Sequence, residues 1–165
     1  MSPVGMKPPS FEKAAEQVKK QAKEKQGQVQ ENISKTDKGI EQIQQKKNAI
    51  QGAIQKVKSA MAKLQAQAQK DPRVKDHPRY QKTMSAYREK LQEYQQALKQ
   101  CENQLEMLRT RKLKLRNALI KIAGQASAQL SMIKKRQAAQ KQQQQAAKDQ
   151  QKKKAAKAES GKVRG

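Results

Sequence analysis

The 165-residue chain has a single cysteine, Cys101, so no intramolecular disulfide can form. Aromatic residues are scarce, with one Phe, three Tyr and no Trp. Phe, Ile, Leu and Val together make 24 residues, about 15% of the chain. That lies below the roughly 20% under which a highly charged chain fails to build a globular core. No run of apolar residues is long enough for a membrane span. The start, Met1–Pro9, lacks the apolar stretch of a secretory signal. The expected setting is therefore reducing and intracellular, most simply the cytoplasm. The one histidine, His77, has no cluster of further ligand residues around it in the sequence, so no metal site is expected. Gly-rich phosphate loops, nucleophile triads and paired carboxylates are also missing, and neither enzymatic activity, a cofactor nor a small-molecule substrate is expected.

What is abundant is positive charge and helix-forming residues. Thirty-eight Lys and Arg face 14 Asp and Glu, a net charge of +24. Such a field attracts polyanions: nucleic acid backbones, an anionic membrane surface or an acidic protein face. Lys outnumbers Arg 30 to 8, which argues against fine base readout by planar guanidinium groups. Ala, Glu, Lys, Leu and Arg supply 79 residues, close to the ~50% typical of long helices and coiled coils. Composition thus leaves two possibilities, disorder or elongated helix.

Proline placement and hydrophobic period decide between them. Pro3, Pro8 and Pro9 stand near the start and Pro72 and Pro78 in the middle, leaving two long proline-free stretches. Ser10 is a candidate N-cap for the first helix. Pro72 is expected to end that helix, and Pro78, capped by Asp76 or His77, to open the second. In the first stretch Val29, Ile33, Thr36, Ile40, Ile43, Lys47, Ile50, Ile54, Val57, Met61, Leu64 and Ala68 follow one another in steps of three and four. In the second, Tyr80, Met84, Tyr87, Leu91, Tyr94, Leu98, Cys101, Leu105, Leu108, Lys112, Leu115, Leu119, Ile122 and Ala126 do the same. These are a/d seams of a left-handed coiled coil. Before Val29 the seam steps back through Lys25 or Gln26, Ala22 and Val18, a one-residue shift that reads as a stutter.

Folding the chain at the proline-bounded turn aligns the seams, with paired positions summing to 148. Ala68 meets Tyr80, Leu64 meets Met84, Ile54 meets Tyr94, Ile43 meets Leu105 and Ile33 meets Leu115. The polar interruption at Thr36 falls opposite that at Lys112, and Lys47 falls opposite Cys101. The same register puts Glu89, Glu93 and Glu102 near Lys58, Lys56 and Lys46. The expected fold is therefore all-α: a long antiparallel two-helix coiled-coil hairpin with a disordered or nascent-helical basic tail. Residues 1–9 form a Pro-rich disordered start, 10–70 helix 1, 71–78 the turn, 79–137 helix 2 and 138–165 a Lys/Gln/Ala tail. The pairs Val18 and Leu130 would extend the hairpin further. Leu113, Ile120, Leu130 and Met132 fall outside the seam as a second apolar stripe, which leaves a homodimer or partner contact open. Gly27, Gly39, Gly52 and Gly124 should soften the helices locally.

The functional signal is an acid-free run. Between Glu106 and Asp149 there is no Asp or Glu, while 11 Lys and Arg occur. The candidate contacts for a polyanion or acidic partner are Arg109, Arg111, Lys114, Arg116, Lys121, Lys134, Lys135, Arg136 and Lys152, Lys153 and Lys154. Tyr80, Tyr87 and Tyr94 all lie in the seam, so stacking recognition of single strands is disfavoured. Nucleic acid binding, if present, is expected to be non-specific and salt-dependent.

A basic helical hairpin of this size, with leucines such as Leu91, Leu98, Leu105, Leu115 and Leu119 along its seam, resembles the stalk proteins of flagellar and type III export ATPases over about residues 12–136. The resemblance implies a hairpin inserted into a hexameric ATPase ring and a regulatory role without chemistry of its own. Three readings follow from the sequence: a rigid interaction protein docking a basic surface on an acidic assembly or nucleic acid, an export stalk, and a non-specific nucleic acid packaging protein.

Overall fold

In a computed structural model that describes residues 8–163, the chain is all-helical: α1 (Pro8–Lys70), α2 (Pro72–Asp76) and α3 (Pro78–Val163). The two long helices pack against each other as an antiparallel hairpin. Two compact units are distinguished, Gln30–Arg116 and a second formed from residues up to Val29 together with those from Asn117 onward.

In the unit Gln30–Arg116 the connection is built from two copies of one device, a polar cap followed by proline. Asp71 has extended backbone (φ −134°, ψ 104°), and its carboxylate accepts a hydrogen bond from the Arg73 N–H at 3.1 Å, capping α2 with Pro72 in the first turn. Six residues on, the Nδ1 of His77 accepts from the Arg79 N–H at 3.1 Å, and Pro78 opens α3. Of the two expected caps, His77 and not Asp76 does the work. The turn is thus itself a short helix, held by backbone bonds from Val74 N–H to Asp71 C=O (3.0 Å) and from His77 N–H to Val74 C=O (3.2 Å). The sequence reading of 71–78 as a plain turn missed this helix, because five residues are too few to display a hydrophobic period.

Every seam position expected in this unit, from Ile33 to Ala68 and from Tyr80 to Leu115, is buried or half-buried. Met84 (2% exposed), Cys101 (1%) and Leu105 (4%) are the most enclosed of the apolar ones. Most of the others are only half-buried, since two helices can cover a seam from one side alone. The polar layer is resolved in detail. Thr36 is 4% exposed, and its hydroxyl donates to the Asn32 carbonyl one turn back at 2.8 Å. The opposing Lys112 extends past it to the carboxylate of Asp37 at 2.6 Å. Lys47, opposite Cys101, reaches out to Glu102 at 3.8 Å. The expected partner of Glu102 was Lys46. Lys47 takes the contact because its stem already lies in the seam and needs only its tip in solvent. Glu89 and Glu93 make no ion pair with Lys58 or Lys56 among the described residues.

In the other unit the 148 register continues. Val29, Gln26, Ala22 and Val18 are half-buried, as are Leu119, Ile122, Ala126 and Leu130. Two consecutive steps of four (18, 22, 26) face two consecutive steps of four (122, 126, 130), so the stutter on one helix is matched by one on the other. Gln26, not Lys25, carries the seam. Leu130 belongs to this seam opposite Val18 and is removed from the second apolar stripe. Beyond it lie half-buried Ile133 and Gln137, and at the mirror position of Gln137 stands Phe11, 4% exposed.

Both helix ends differ from expectation. α1 starts at Pro8, two residues before Ser10, so Ser10 lies inside the first turn and is not its cap. Proline is well suited there, since the first N–H groups of a helix have no acceptor. α3 does not stop at 137 but runs through the Lys/Gln/Ala segment to Val163. Ala, Lys and Gln are all strong helix formers, and no proline or glycine interrupts them before Gly161. The sequence reading of residues 1–7 and 164–165 lies outside the described residues.

Candidate polyanion-binding surfaces

All 11 basic residues singled out from the sequence lie on α3 and all are exposed. None of them makes an ion pair among the described residues. In the unit Gln30–Arg116, Arg109, Arg111, Lys114 and Arg116 occupy the last three turns of its α3 segment. Arg111 and Lys114 line a shallow groove of about 580 Å³ together with Asn103, Glu106, Met107 and Thr110. Met107 (72% exposed) and Leu113 (60%) lie on the same stretch, so its surface combines cations with uncovered apolar side chains. Lys112, the one cation of this segment in the seam, is engaged by Asp37 and unavailable to a partner.

The second unit carries Lys121, then Lys134, Lys135 and Arg136, then Lys152, Lys153 and Lys154. The two triplets are 18 residues apart, five turns of helix, so each member of one lies in line with the corresponding member of the other. Arg136 also lines a groove of about 440 Å³ with Ala14, Gln17, Val18, Gln21, Gln129, Met132 and Ile133. Ile120 (71% exposed) and Met132 (54%) are uncovered in this unit as expected from the sequence.

Lys141 and Lys148, which the sequence offers only as part of the acid-free run, are exposed as well. Spaced by seven from Lys134, they continue its line along the same helix face, about 10.5 Å apart. Reading the basic residues by heptad position would have found them.

The remaining features carry structure. The rings of Tyr80, Tyr87 and Tyr94 are half-buried in the seam, and Lys90 Nζ lies 5.8 Å from the centroid of Tyr94 one turn away. Cys101 is buried. No group of three or more His, Cys, Asp or Glu that could hold a metal ion occurs among the described residues. No helix among them is long and apolar enough to cross a membrane. No protein-family model, curated protein or solved structure matches the chain.

Proposed function

We propose that the protein is a non-enzymatic interaction scaffold: a helical hairpin that holds the basic surface of α3 for docking on a polyanion, either an acidic protein assembly or a nucleic acid backbone. The observation that carries this reading is the set of 11 exposed α3 cations that make no ion pair among the described residues. A fold that needed those charges only for solubility would intersperse them with acids. Here eight of the 11 lie within 42 consecutive residues, 107–148, that contain none. The test is affinity capture of the tagged chain from cells, with and without nuclease. Retention of an acidic protein after nuclease, or loss of nucleic acid on nuclease treatment, identifies the polyanion. Capture unaffected by Gln substitution of the 11 cations would refute the proposal.

The hairpin architecture also supports the narrower reading as the stalk of an export ATPase. Stimulation of a purified export ATPase hexamer by the chain would establish it, and failure to bind the ring would remove it. The packaging reading draws on the same cations and calls for compaction of long DNA by the purified protein.

A further inference from the structure

The register fixes where α1 runs out. With pairs summing to 148, Pro8, the first residue of α1, stands opposite Gln140. Burial obeys this limit: Gln137 and Gln140 are half-buried, and every residue from Lys141 to Ala158 is exposed. α3 therefore runs on for 23 residues, about 35 Å, past the end of α1, and its part from Lys141 to Ala158 is covered by no other described residue. The 18 residues from Lys141 to Ala158 include six lysines and one acid, Asp149, whose carboxylate accepts a long 3.5 Å contact from the Gln145 side-chain amide.

We infer that this projecting helix is a docking element for the phosphate backbone of nucleic acid. The inference rests on the polyanion reading above and names the ligand and the segment. Two observations choose nucleic acid over a partner helix. First, Ala is the only apolar residue type between Lys141 and Ala158. A protein partner would find no large apolar or aromatic anchor, the kind of group that dominates protein–protein binding energy. Second, the groups present, ammonium and primary amide, are donors suited to phosphate oxygens. Lys141, Lys148 and Lys152 follow one another at steps of seven and four and share one side of the helix, while Lys153, Lys154 and Lys157 point elsewhere around it. Contacts on several sides, with no aromatic residue after Tyr94, suit a backbone-tracking, sequence-independent mode without base stacking.

The test uses the full chain, a mixed-sequence 30-base-pair DNA duplex, and polyglutamate as a second polyanion. One variant carries Lys→Gln at 141, 148, 152, 153, 154 and 157; another carries Arg109→Gln, Arg111→Gln, Lys114→Gln and Arg116→Gln. Glutamine is a strong helix former, and circular dichroism checks that both variants retain their helix. At about 0.9 per neutralised phosphate, six lysines supply a salt slope of about 5. The wild-type chain should then lose about 1,000-fold more DNA affinity than the six-lysine variant between 50 and 200 mM salt. The four-residue variant should keep most of the slope. An unchanged slope in the six-lysine variant overturns the inference, and if the other variant loses binding, the scaffold reading survives with its contact elsewhere. Binding to polyglutamate but not to the duplex likewise overturns the inference alone. Binding to neither polyanion overturns both.

Discussion

Gly39 and Gly52 sit inside α1, where nothing requires glycine. A Cβ at Gly52 would meet no atom within 4 Å, and one at Gly39 would lie 3.5 Å from Leu108 Cδ1 across the seam, an ordinary van der Waals contact. Neither position therefore resists a methyl group. Replacing a helix-interior glycine by alanine gains about 1 kcal/mol from backbone entropy. At exposed Gly52 that is the whole effect. At half-buried Gly39 the methyl also covers part of Leu108, adding up to about 0.8 kcal/mol. The sites are 13 residues, about 20 Å, apart on α1, so their effects should add. The double variant Gly39→Ala/Gly52→Ala is expected to be about 2–3 kcal/mol more stable. Urea denaturation followed by circular dichroism at 222 nm measures this directly. With a slope of 1–3 kcal/mol per molar, the midpoint should rise by about 1 M or more. A lowered midpoint for Gly39→Ala alone would mean that the two helices approach more closely at Leu108 than the structure has them. A lowered midpoint for Gly52→Ala would mean that residue 52 is not helical and would refute the continuity of α1.

Ile50→Asn places an amide without a partner in the half-buried seam and removes an apolar contact, at a cost of about 2–4 kcal/mol. The helical signal should fall cooperatively at a lower temperature, and an unchanged melt would contradict the pairing of α1 with α3. Cys101, at 1% exposure, should react with a thiol reagent orders of magnitude more slowly in the native protein than in denaturant. Equal rates in the two conditions would show that the seam around it is open.

Much of the fold was legible because two helices leave few places for apolar residues to go. The three-four steps from Ile33 to Ala68 and from Tyr80 to Leu115 mark buried positions residue for residue, and the mirrored breaks at Thr36 and Lys112 fix which residues face each other. Phe11 was not legible as a seam residue, although it lies 18 residues before Val29, because Ala14, Ala15, Val18 and Ala22 are too small and too spread to set a period between them. The exchange of Lys46 for Lys47 as the partner of Glu102 depends on side-chain reach, which position sums do not encode. The basic segment is legible as unpacked but not as continuous with α3: weak hydrophobicity argues for disorder, while local propensity, without a breaker, carries the helix onward. Of the candidate contact surface, the charge was plain from the sequence. What the sequence did not show is which cations already have an acidic neighbour. Only the side-chain geometry separates Lys112, held by Asp37, from Arg111 beside it.

The matched stutters at 18–26 and 122–130 constrain how this chain can change in length. Deleting one residue from a single arm turns every later side chain by about 100° and swings the apolar edge away from its counterpart. Only blocks of whole heptads, gained or lost at mirror positions in both arms, preserve both the apolar edge and the match. Evolution of such a molecule is therefore expected to proceed by paired gains and losses on either side of the elbow, with the overhanging C-terminal portion, which has nothing to stay in step with, free to lengthen or shorten by itself.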